Sequence, residues 1–235
     1  MEILKAVNLV KTYGKEATKV EALKSANFSI SKGEFVSIVG PSGSGKSTLL
    51  NLLGALDIPT SGEVYIDGRN IFAMKEEELA IFRRRQIGFI FQAFNLIPEL
   101  NVEENMTLPL LLDHKQPDQP YIEELLHVLG LAERKHHLPN QLSGGQQQRA
   151  AIGRALATKP AIILADEPTG NLDSKNSEEV LNLLRLSVER YAQTLIMITH
   201  DSNFASFADR VLNVEDGIVT ELGGQGNEEL PVPRF

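Results

Sequence analysis

The segment Gly40-Pro41-Ser42-Gly43-Ser44-Gly45-Lys46-Ser47 spells G-x-x-x-x-G-K-[ST] without a mismatch, and Thr48 follows it. Its glycines let backbone N–H groups converge on a phosphate without side-chain clash. Lys46 supplies a compact positive charge, and the Ser47 hydroxyl is a ligand type for a divalent cation. Residues 161–167, Ala-Ile-Ile-Leu-Ala-Asp-Glu, form an apolar run that ends in two carboxylates. Asp166 is suited to hold a cation, and Glu167 to polarise a water as general base. Leu142-Ser143-Gly144-Gly145-Gln146 offers a hydroxyl and the backbone amides of an opening helix that contains Arg149, which is a second anion receptor. Taken alone, that last segment also reads as an ordinary helix cap and the carboxylates equally as solvated acids, whereas the glycine loop reads far less readily as a plain turn.

Elements of the right kind flank these residues. Residues 20–30 and 34–39 carry apolar residues at strand spacing, and the second run leads straight into the glycine loop. Residues 46–55 then read as a helix, so the loop has the strand and helix it requires. Residues 62–66 and 86–91 read as further strands, with an acidic helix starting near Lys75 between them. From Ala93 to about Thr158 the pattern turns helical, over 103–112, 119–129 and 145–157, punctuated by Pro98, Pro117, Pro120 and Pro139. Strands return at 161–165, 194–199, 210–214 and 218–221, with a helix over 175–191. The expectation is an α/β core interrupted by a helical insert, with a loose tail at 223–235.

Composition narrows the class. The 235 residues suffice for one large α/β domain with an inserted subdomain. Lysine and arginine number 23 against 31 acids, a net charge of −8, which argues against a nucleic-acid partner. The chain has no cysteine, so disulfides and thiolate metal sites are excluded. No run approaches the ~18 apolar residues that span a bilayer. The first residues show no basic stretch leading into a long apolar one, so the expected location is the cytosol, with any membrane role exercised through a partner.

Together and in this order the segments resemble the ATP-binding-cassette (ABC) ATPases, from about Leu4 to Val219. The resemblance implies a P-loop NTPase (RecA-like) core with an antiparallel β subdomain and an inserted α-helical subdomain. The core would be 1–92 with 159–222, and the signature-bearing helices 93–158. The implied ligands are ATP and Mg²⁺. ATP would lie on Gly40–Ser47 and Thr48, with Ser47, Asp166 and Gln92 around the metal. Gln92, at the end of its strand, resembles the Q-loop residue, and His200 resembles the switch histidine that donates to the γ-phosphate. Asp173, in Asn171-Leu172-Asp173, resembles the D-loop. Tyr13 resembles the aromatic that stacks on adenine. Ser143, Gly144, Gly145 and Gln146 would complete the site of a second copy in a head-to-tail homodimer.

Residues 88–96, Gly-Phe-Ile-Phe-Gln-Ala-Phe-Asn-Leu, and 166–173, Asp-Glu-Pro-Thr-Gly-Asn-Leu-Asp, look like the branch that includes MacB, LolD and FtsE. That branch implies an ATPase held on the inner face of the membrane by a permease with a large external domain. Phe94, Leu96, Ile97 and Leu100 form either the insert's own small core or, in part, a groove that receives the permease. The alternatives are an FtsE-like regulator of cell-wall hydrolysis and, from another class, a soluble ABC ATPase. The second usually carries zinc-ligand cysteines, long coiled-coil insertions or two cassettes, none of which is present in this sequence.

Overall fold

The computed structural model describes residues 1–201 and 205–222. The tail from Gly223, expected to be loose, lies outside them. The chain opens with β1 (Glu2–Tyr13), β2 (Val20–Ser31), β3 (Phe35–Val39), α1 (Lys46–Leu53), β4 (Ser61–Ile66) and β5 (Arg69–Asn70). It continues through α2 (Glu76–Gln86), β6 (Ile87–Phe91), α3 (Val102–Leu112), α4 (Gln119–Val128), α5 (Gly144–Ala157) and β7 (Ile162–Asp166). The last described elements are α6 (Ser174–Tyr191), β8 (Thr194–Ile198), β9 (Arg210–Glu215) and β10 (Ile218–Leu222). They fall into two compact units, one of Met1–Leu79 with the described residues from Thr194 onward, the other of Ala80–Gln193.

In the first unit an antiparallel sheet runs β2-β1-β4-β5. Leu4 lies opposite both Ile30 and Ile66, and all three are buried. The strand β1 is an addition to the expected elements. Its alternation is broken by register shifts and by Asn8 in the left-handed region (φ 46), so a period of two is not visible in its residues. The same unit holds β3 between β8 and β9, parallel to both, with β10 antiparallel beyond β9. Because β3 and β8 are covered on both faces, they are continuous apolar runs with almost no exposed residue. Chain distant in sequence stitches this unit together. The Gly33 N–H donates to Thr194 Oγ1 at 3.0 Å, and the Phe35 N–H to Asp209 at 2.9 Å.

In the second unit β6 and β7 pair in parallel, with Phe91 opposite Asp166. The helices begin where their caps sit. Asn101 accepts from the Glu104 N–H while Glu104 accepts from the Asn101 N–H, which starts α3. Asp118 starts α4, Ser143 starts α5 and Asp173 starts α6. Asn105, fully buried on α3, donates to the carbonyls of Ile97, Leu100 and Asn101 and accepts from the Ile97 N–H. One amide thus shapes the turn before α3. The helical stretch 93–158 falls within Ala80–Gln193, together with β6, β7 and α6.

Candidate functional site

Val39 ends β3, and the chain enters the loop through Gly40 (φ 143), Gly43 (φ 77) and Gly45 (φ 110). A side chain at Gly45 would run into the carbonyl oxygen of Ala22 as well as facing a left-handed backbone, so only glycine fits there. α1 begins at Lys46, so its first turn leaves unsatisfied N–H groups pointing into the loop. Lys46 is buried and folds back, its Nζ donating to the carbonyls of Gly40 at 2.9 Å and Pro41 at 2.7 Å. That posture places an ammonium inside the cradle it is expected to serve. Ser47 is exposed on the first turn. The loop is backed from the far end of the chain, where the Gly217 N–H donates to the Ser44 carbonyl at 3.0 Å.

His200 follows β8 as Gly40 follows β3, and Ile38 lies opposite Ile198 in the parallel pair. The two residues therefore leave adjacent strands at the same level, and His200 is exposed there. Tyr13, at the end of β1, is half-exposed, and its hydroxyl donates to Asp57 at 2.6 Å. Lys11 Nζ binds the other oxygen of Asp57 at 2.6 Å and lies 4.8 Å from the centroid of the Tyr13 ring. Burial raises the Tyr13 hydroxyl above its ordinary range, and the Asp57 hydrogen bond adds to this while one to Thr48 opposes it. Burial also acts to raise Asp57, but hydrogen bonds from Lys11 and Tyr13 outweigh it and hold the carboxyl below its usual range. Tyr13 is thus fixed beside Thr48 of α1, with one face covered by a cation.

In the second unit, the parallel register brings the ends of β6 and β7 side by side. Gln92 follows Phe91 on one, and Glu167 follows Asp166 on the other. Glu167 turns off its strand in the left-handed region (φ 45), which a side chain rarely adopts. Gln92 is tied to Asn171 twice: its Nε2 donates to Asn171 Oδ1 at 3.3 Å, and Asn171 Nδ2 donates to its carbonyl at 2.9 Å. The Gln92 side chain also lies over Gly170, where a Cβ would meet it.

Ser143 opens α5 through a reciprocal cap, its Oγ accepting from the Gln146 N–H at 3.3 Å and its N–H donating to Gln146 Oε1 at 3.0 Å. Gly145 must be glycine because Asn176 packs where its Cβ would stand. Asn176 in turn donates from its backbone to one oxygen of Asp173 at 2.9 Å and from its side chain to the other at 2.7 Å. These bonds, the backbone one foremost, hold the Asp173 carboxyl below its ordinary range. The second unit thus brings the Ser143 loop and Asp173 together through Asn176, and Gln92 and Glu167 together through their strands.

The ABC transporter family model matches residues 23–170, more than half of the chain. The chain belongs to the ABC transporter family. The cassette is 46% identical over 220 residues to the lipoprotein-releasing system ATP-binding protein LolD of Cytophaga hutchinsonii, covering 93% of this chain and 99% of that protein. It is 44% identical over 220 residues to the macrolide export ATP-binding/permease protein MacB of Chlorobaculum tepidum, covering 93% of this chain and 34% of that longer one. Among solved structures, the ATP-binding cassette MJ0796, a dimer in a post-hydrolysis state bound to ADP and Pi, is 47% identical. It superposes with a TM-score of 0.84 over 96% of this chain and 100% of the other. The fold is therefore that of a P-loop ATPase cassette, and the resemblance to MacB- and LolD-type ATPase subunits holds.

Several residues around the cassette's candidate site were not singled out by their sequence. Lys11 and Asp57 hold Tyr13, Asn171 holds Gln92, and Asn176 links Gly145 to Asp173. Lys11, Asp57 and Asn176 stand in no motif, and Asn171 stands in one only as a neighbour of Asp173, with no role of its own. Each is a partner of a motif residue, and that pairing becomes visible only when the backbone is folded. The cluster Phe94, Leu96, Ile97 and Leu100 is neither core nor fully exposed. Phe94, Leu96 and Leu100 are half-buried, and Ile97 is 36% exposed. Arg154 on α5 anchors the start of this stretch by donating to the carbonyls of Phe94 at 2.9 Å and Asn95 at 2.5 Å.

Proposed function

We propose that this cassette hydrolyses Mg²⁺-ATP as one half of a head-to-tail homodimer and drives a membrane permease of the MacB or LolD kind. The reading is carried by the presence of two anion-receiving helix starts in one chain. One, at Gly45–Lys46, is backed by its own lysine. The other, at Ser143–Gly145, has Ser143 exposed. A single nucleotide needs one such cradle, so the second is explained by a nucleotide held on another copy. The dimeric state recorded for MJ0796 supports the same reading.

The roles then follow from residue chemistry. Lys46 and the backbone N–H groups of Ser42, Gly43, Ser44 and Gly45 hold the phosphates, Gly40 and Pro41, which has no N–H to give, shape the loop, Thr48 flanks the phosphates, and Tyr13 stacks on adenine. Ser47, Asp166 and Gln92 are the oxygen ligands available to Mg²⁺, a hard cation that takes such ligands and neutralises charge on the phosphates. Glu167 accepts the proton of the attacking water, and His200 donates to the γ-phosphate. Ser143, Gly144, Gly145 and Gln146 reach the partner's nucleotide, and Asp173 lies along the same contact. Residues 93–158 act as the signature-bearing subdomain on the 1–92 and 159–222 core, and the half-buried Phe94 cluster is the surface offered to the permease.

Among the described residues no helix is long and apolar enough to cross a membrane. The cassette would therefore meet the inner face of the membrane through the permease. The MacB relative, in which the matched stretch is about a third of an ATP-binding/permease protein, supports this. Glu167→Gln keeps shape and hydrogen bonding but removes the base, so ATP should still bind while turnover falls by about two orders of magnitude or more. An ATP-dependent dimer should then accumulate on gel filtration. Undiminished hydrolysis, or a monomer under those conditions, would refute the reading.

A further inference from the structure

Gln148 is fully buried on α5, and its side chain is used in one direction only. Its Nε2 donates to the Pro168 carbonyl at 2.6 Å and reaches the Phe91 carbonyl at 3.4 Å, while its Oε1 has no partner. Rotating the amide by half a turn would set Oε1 against the Pro168 oxygen, so the orientation is fixed by its surroundings. Phe91 is the residue before Gln92, and Pro168 is the residue after Glu167. One NH₂ group therefore grips the backbone beside both residues, from a helix that Ser143 caps.

Stability alone does not account for this arrangement. The buried, unpartnered Oε1 costs folding free energy, which offsets much of what the bond to the Pro168 carbonyl contributes. The backbone that Gln148 holds also adjoins a strained residue, because Glu167 sits in the left-handed region and tends to leave it.

We propose that Gln148 is a positioning residue for hydrolysis, its amide clamping the peptides beside Gln92 and Glu167 so that the Glu167 carboxylate is held where it can take a proton from water. The proposal rests on Glu167 being the general base, and it adds a residue from the signature helix to the means by which that base is set.

The test is Gln148→Met in the full chain, with Glu167→Gln as the control. Met fills the space and removes both the donor and the orphaned acceptor. The expected result is a thermal midpoint within a few degrees of the parent's, because loss of the bond to the Pro168 carbonyl is offset by removal of the orphaned oxygen, with ATP affinity within about twofold and kcat lowered at least tenfold with KM retained. In single-turnover measurements the change should have no further effect on the Glu167→Gln background, because both alter the same group. Parental turnover in Gln148→Met would overturn the proposal. So would a loss of midpoint, affinity and rate together, which marks a merely structural residue, or an additive loss in the double variant. Full turnover in Glu167→Gln alone would remove the base assignment, and the proposal with it, and that single variant distinguishes this case from the others.

Discussion

Glu167 carries its carboxylate on a backbone at φ 45, and Gly45 passes through the glycine loop at φ 110, so two residues of the proposed site are conformationally forced. They respond oppositely to substitution. Glu167→Gly and Glu167→Ala should both abolish turnover, but the glycine variant should be the more stable by about 1 kcal/mol, since it alone relieves the left-handed strain. Chemical denaturation of the two variants measures this difference. Gly45→Ala meets both strain and the Ala22 carbonyl, so it should lose nucleotide binding as the loop is displaced. At Tyr13 the fixing groups are separable from the ring. Lys11→Met uncovers one face and frees Asp57, and it should weaken ATP binding severalfold while leaving tripolyphosphate, which has no base to stack, unaffected. Equal losses for both ligands in a titration would show that Lys11 acts on the phosphates instead.

Among the elements, caps and buried amides decide where each segment begins. Asn105→Ala would strand the carbonyls of Ile97, Leu100 and Asn101 together with the Ile97 N–H, and it should lower stability by about 2–3 kcal/mol in urea unfolding. The sequence made the capped and uninterrupted elements legible. The glycine loop announced α1, the Ser143 segment announced α5, and the apolar runs of β3, β7 and β8 stood out because parallel strands are buried on both faces. It was silent on β1, where bulges and Asn8 break the alternation that reveals a strand. It also extended α1 to residue 55, whereas the helix ends at Leu53 and Ala55 turns left-handed at φ 52. The functional motifs were readable for a different reason from their supports. Lys46 and Glu167 are recognisable by what they are, whereas Asp57, Asn171 and Gln148 matter only through what they touch.

For the chain as a whole, the response to acid follows from carboxylates that gain partners on folding. Asp113 is the plainest case, with Arg85, Lys115 and Arg84 within 2.6–3.0 Å holding its carboxyl well below the usual carboxylate range. The folded chain therefore binds that proton less readily than the unfolded chain. The contribution is complete above the unfolded value near ~4 and is lost as pH falls through the folded value. Asp113→Asn should make stability less steeply dependent on pH below ~4, as read from thermal midpoints across that interval. The long-range stitching of the first unit has a further effect during synthesis. β3, which feeds the phosphate loop, is flanked by β8 and β9, and the loop itself is backed by Gly217. A ribosome that has made only the glycine loop, or even all of α6, has not yet supplied the strands on either side of β3. Nascent chains halted before residue 217 should leave immobilised ATP unbound, whereas released chains that include it are retained, so the cassette becomes competent to spend ATP only once β8, β9 and the turn at Gly217 have been made.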